Sequence, residues 1–148
     1  MTEADTNLRD RVLDRADDLR DVLHVLLGQA NRRQLWLVFM EESGRIGDPI
    51  MPMADYPADP HEETEADDLG VVDQGHLLMH RIGMLREATG NASVVLVWER
   101  VAPNVLDGQD RAWASAMADE AAALGVPLRA QFLLHNRGLR QLHPDDYM

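Results

Sequence analysis

The chain has 148 residues, a net charge of -12 and no cysteine, which excludes disulfides, thiolate metal sites and cysteine nucleophiles. The acidity argues against a nucleic-acid surface, because carboxylates repel phosphates. With 45% apolar and 27% charged residues, the composition is that of a globular protein, and the whole of 1–148 is expected to form one domain.

Every basic side chain other than histidine is an arginine, so forked ion pairs inside the protein are expected. The first residues, Met1-Thr2-Glu3-Ala4-Asp5, lack the apolar stretch of a leader. No segment approaches the roughly 18 apolar residues that span a bilayer. A cytoplasmic protein without membrane contact is the expectation.

In chain order, residues 1–29 carry an amphipathic helix from about Thr6 to Gln29. Leu8, Val12, Ala16, Leu19, Leu23 and Leu26 recur at steps of three and four. Gln34 to Met40 is a nearly continuous apolar run, expected as a strand buried on both faces. A turn at Glu41 to Arg45 leads to a returning strand, Ile46 to Met53. Pro49 and Pro52 cannot donate to a ladder, so that strand is expected to lie at an edge or to be short. Residues 55–68 are acidic and proline-containing, expected as a solvated, mobile loop.

A helix from about Asp68 to Ala88 follows, ended by Thr89-Gly90-Asn91. Ala92 to Trp98 is a second apolar strand. Asp107 caps a helix that runs to Leu124, and Gly125 stops it. Leu128 to Leu134 is the next strand. A turn at His135-Asn136-Arg137-Gly138 returns the chain along Leu139 to Leu142, and the last six residues form a tail. The order α-β-β-α-β-α-β-β predicts an α/β fold, a three-layer α/β/α sandwich around a mixed sheet.

Open α/β sheets bind ligands beyond the carboxyl ends of their strands. That places Trp98, Glu99 and Arg100, with Asp107 and Asp110 on the following helix, as candidate binding residues. The loop 99–109 has no histidine, serine or cysteine, so no catalytic residue is assigned. His76 and His80, four apart on a helix, share a face suited to one metal, and His61 lies in the acidic segment before them. A zincin helix would need a glutamate after the first histidine, and Leu77 stands there. His61-Glu62-Glu63 is an H-x-E like that of zinc nucleobase deaminases. Where that family continues with P-C-x-x-C, Pro103 to Asp107 keeps only the proline.

The stretch from Ser93 to Leu142 resembles the second half of the JAB/MPN fold, above all its bacterial RadC-like branch. That branch runs from a strand to H-x-H-P-S-G, then a P-S-x-x-D that opens a helix, a leucine–glycine turn and a closing hairpin. Here the strand is followed by Asp107-Gly108-Gln109-Asp110, then Leu124-Gly125-Val126-Pro127-Leu128, then the hairpin around Gly138. Asp110 lines up with the family's metal-binding aspartate. The hairpin Leu35 to Met53 and the helix around His76 are similar to the first half. Both metal-binding histidines are absent, Trp98-Glu99-Arg100 occupies their neighbourhood, and Asp107 replaces the motif serine.

The resemblance, shared in element order with deaminase-like folds, implies a member without its metal or any other cofactor. The expected function is a non-catalytic interaction or regulatory domain that binds a protein partner or itself as a homodimer. The alternative is a metal-dependent hydrolase whose site is rearranged around His61, His76 and His80.

Overall fold

The structure, a computed structural model, describes residues 10–148. Its elements are α1 (Ala16–Leu27), β1 (Gln34–Met40), β2 (Ile46–Met53), β3 (Glu63–Ala66), β4 (Gly70–Asp73), α2 (Gln74–Thr89), β5 (Ser93–Glu99), α3 (Gly108–Leu124), β6 (Leu128–His135), β7 (Gly138–Leu142) and α4 (Pro144–Tyr147). Five strands form one sheet in the order β2-β1-β5-β6-β7, and β3 and β4 form a separate hairpin. Only β5 and β6 pair in parallel, across the α3 crossover; the other pairs are antiparallel. The expected mixed α/β fold is what the chain adopts.

Alternation along the strands divides the core in two. Leu35, Leu37, Phe39, Leu96 and Leu133 point to one face and meet Met79 and Ile82 of α2 and Trp113, Ala114 and Met117 of α3. Val38, Met40, Val95, Val97, Phe132 and Leu134 point to the other and meet Leu19, Val22 and Leu23 of α1. One helix on one face and two on the other make the three layers. Among the described residues, no helix is long and apolar enough to cross a membrane.

The hairpin β1–β2 is as expected: Gly44 turns it with φ 91°, a region closed to most side chains, and β2 lies at the sheet edge. The first helix is shorter than its periodicity predicts and begins at Ala16. Hydrogen bonds to the hairpin hold the preceding residues extended: Leu13 N–H donates to the Gly44 carbonyl at 2.9 Å, and Arg45 Nε to the Asp10 carbonyl at 2.7 Å. The Arg129 guanidinium also donates to the Leu13 carbonyl. Leu13 is buried in consequence, while Val12 from the expected stripe is 46% exposed. Thr6 and Leu8 lie outside the described residues.

The acidic loop is also corrected. Residues 63–73 form the β3–β4 hairpin, and α2 starts at Gln74 rather than Asp68. Two short strands with few apolar residues are marginal alone. These are tied to the start of α2, where Gln74 and Gly75 N–H donate to the carbonyls of Glu62 and Pro60 at 2.9 and 2.8 Å. Asp68 in the hairpin turn takes both terminal nitrogens of Arg81 at 2.7 and 2.8 Å, which holds its carboxyl down to about 2. The final residues are not a plain tail: Pro144–Tyr147 make one helical turn.

Candidate functional site

Glu99 does not act together with Trp98 and Arg100, because adjacent strand residues face opposite sides. Trp98 enters the α2/α3 face. Its indole donates to Gln131 Oε1 at 2.8 Å, and Gln131 donates onward to the Ala114 carbonyl at 2.9 Å. Glu99 enters the α1 face and is 2% exposed. Its Oε2 accepts from the backbone N–H groups of Asn31 and Arg32 at 2.8 and 3.1 Å. Its Oε1 accepts from Gln34 Nε2 at 3.0 Å and Trp36 Nε1 at 2.7 Å. Burial pushes this carboxyl up, but the four hydrogen bonds outweigh burial and leave it below its ordinary value. Glu99 therefore anchors the turn between α1 and β1.

Arg100, Asp107 and Asp110 do converge. Asp107 and Asp110 form a reciprocal capping box: Asp110 N–H donates to Asp107 Oδ1 at 2.8 Å, and Asp107 N–H to Asp110 Oδ2 at 3.3 Å. The Arg100 guanidinium sits between the two carboxylates, 2.8 Å from Asp107 and also in contact with Asp110. The Asp110 side chain is only 11% exposed, so its charge depends on a close cation.

Beside this triad lies an aromatic cluster with members distant in sequence. Tyr56 meets Trp98 and Trp113 edge-on, with ring centroids 5.6 and 5.5 Å apart. Arg33 stands over the Tyr56 ring at 3.8 Å, and Trp113 Nε1 donates to the Pro57 carbonyl at 2.9 Å. Burial raises the Tyr56 hydroxyl against the pull of Arg33 and Arg100. Nothing local in the sequence marks Tyr56 or Arg33 for this place.

The three histidines each face a different carboxylate. His61 lies 3.9 Å from Asp73, His76 lies 2.7 Å from Glu120 across the α2–α3 contact, and His80 lies 3.9 Å from Asp68. Among the described residues, no group of three or more histidines and acids is placed to hold one metal ion. The rearranged metal site is thus not gathered at a common point. His76 instead links two helices.

The chain matches no protein-family model and no curated protein.

Proposed function

We propose that the chain is a non-catalytic interaction domain of the cell interior, of JAB/deaminase-like architecture, that acts by binding a protein partner or itself. One observation carries it: the guanidinium of Arg100 lies between Asp107 and Asp110, where the resemblance puts a metal-binding aspartate. A fixed organic cation there balances the acid without supplying an open coordination position, which Lewis-acid hydrolysis requires. Glu99, the other acid at the strand ends, is consumed by its four internal hydrogen bonds.

Metal content and thermal shift test this. Protein purified without an affinity tag is expected to lose zinc on dialysis and to show no stabilisation by zinc or manganese. Arg100→Ala leaves the two carboxylates uncompensated, at a cost of about 2–4 kcal/mol, and divalent ions should restore part of that loss. Stoichiometric zinc surviving dialysis of the unaltered protein, and lost in His76→Ala/His80→Ala, overturns the proposal in favour of the hydrolase.

A further inference from the structure

Two helices do not cover the whole of their sheet face. Strands lie about 4.8 Å apart and helices are about 10 Å wide, so five strands leave a ledge at one edge. The ledge is at β2. Between it and α2 runs a groove of ≈ 320 Å³, lined almost wholly by apolar atoms. Met51 and Met53 form one wall, Leu77, Leu78 and Leu85 the other, and Trp113 closes part of it. The three leucines are only half-buried, and Met84 on the same helix is 51% exposed. Leu77, Leu78, Met84 and Leu85 thus extend the apolar surface of α2 beyond the face that Met79 and Ile82 bury in the core.

Acids outnumber cations around the groove. No lysine or arginine occurs between Arg45 and Arg81 in the sequence. That span supplies β2, the following loop and the β3–β4 hairpin. It carries Asp55, Asp59, Glu62, Glu63, Glu65 and Asp67, and Asp55 itself lines the groove. Two arginines stand against them, and both are engaged: Arg81 by Asp68, and Arg33 by the ring and carbonyl of Tyr56. A second copy of this chain, also at -12, would set carboxylates against carboxylates. An added strand is disfavoured too, since Pro49 and Pro52 blunt the β2 edge. Along α2 from Gln74 to Leu85 the groove extends about 17 Å, three helical turns at 1.5 Å per residue.

From these observations, and resting on the interaction-domain proposal, we infer that the groove between β2 and α2 receives a basic amphipathic helix of a partner protein. Its apolar side chains, at i, i+4 and i+7, fill the space beside Met51, Met53, Leu77 and Leu85. Its arginines or lysines meet the acidic span. Methionine walls suit such a guest, because thioethers adjust their shape to what they hold.

The test uses the full chain, methyl-labelled at methionine, and three synthetic peptides: a leucine/lysine amphipathic helix, its leucine/glutamate counterpart, and a leucine/lysine peptide of scrambled order. The amphipathic basic helix is expected to bind at least about 10-fold more tightly than either control, and to weaken several-fold when salt rises from about 50 to 500 mM. The methyl signals of Met51, Met53 and Met84 should move, and that of Met40, on the opposite sheet face, should not. Leu77→Gln and Met53→Gln, made separately, should each weaken binding by about 10-fold, while Val25→Gln on exposed α1 surface should not.

Equal binding of the scrambled peptide, or shifts confined to other methionines, overturns the groove assignment. So does the absence of binding by all three peptides. A concentration-dependent dimer that dissociates in Leu77→Gln makes a second copy the occupant and overturns the choice of a basic helix. Any of these results in a metal-free protein leaves the interaction-domain proposal standing. Tightly held zinc removes that proposal independently of the peptide data.

Discussion

At position 99 a carboxylate lies under four donors, two of them backbone N–H groups of the turn between α1 and β1. Its two oxygens are both acceptors, and no neutral side chain of similar size offers the same. In Glu99→Gln the amide NH2 must face either the paired backbone N–H groups or the Gln34 and Trp36 donors. Leaving such donors unmatched costs about 2–4 kcal/mol at pH 7. The sign with pH follows from the lowered carboxyl. Its stabilising contribution is complete above the ordinary value of 4.5 and is lost as pH falls through the folded-state value. Denaturant titrations should therefore show a gap between wild type and Glu99→Gln that is constant from pH 7 to 5 and narrows below 4.5. A gap unchanged down to the acid limit of folding would mean the charge contributes nothing. Sequence placed Glu99 at a strand end correctly, but its partners stand 63 to 68 residues away. Which face it enters decides its role.

Among the elements, the β3–β4 hairpin and α1 show how tertiary contacts override local tendency. The hairpin's eight strand residues have too little apolar surface to fold alone, and the Asp68–Arg81 fork fastens its turn to α2. Asp68→Asn is expected to speed amide hydrogen exchange across residues 63–73 and to leave the central strands unchanged. Because the pair is exposed, high salt should shrink the effect. Equal exchange in both proteins would show that the fork does not order the hairpin. Helix α1 is the described helix on its sheet face. Deleting residues 1–28 bares Val38, Met40, Val95, Val97, Phe132 and Leu134, so the truncated protein should aggregate or lose cooperative melting. A soluble truncation with an unaltered melting temperature would show that the helix covers nothing essential.

Across the molecule, two features set limits on what the architecture can do. The net charge of -12 brings like charges together on folding, so self-repulsion opposes the compact state. Raising sodium chloride from about 10 to about 200 mM is expected to raise Tm by a few degrees, read by calorimetry, since screening weakens that repulsion. A fall in Tm would show that attractive pairs such as Arg100 with Asp107 and Asp110 outweigh the general repulsion. The other feature is backbone closeness where β2 meets the turn before β5. Asn91 Nδ2 donates to the Asp48 carbonyl at 2.8 Å, and its Oδ1 lies where a Cβ at Gly47 would have to sit. The Asn91 side chain thus adds to the β1–β5 ladder in tying the edge hairpin to the central strand.

The sequence by itself determined the hairpins β1–β2 and β6–β7, the strand–helix–strand unit between them, the buried strands β1 and β5, the restriction of β2 to an edge or a short strand, and the Asp107 cap of α3. Each of these follows from a local signal: an apolar run too dense for a solvated face, prolines that cannot donate, a short polar side chain before a helix. It also placed Arg100, Asp107 and Asp110 close enough in the chain to meet. Only the tertiary structure decided that the arginine stands between the two acids, that Glu99 turns away to the opposite face, and that Tyr56 and Arg33 join Trp98 and Trp113. It likewise decided that His61, His76 and His80 go to three separate partners. These outcomes depend on which distant donors and acceptors the packed sheet brings within about 3 Å, and periodicity along a chain holds no information about that distance.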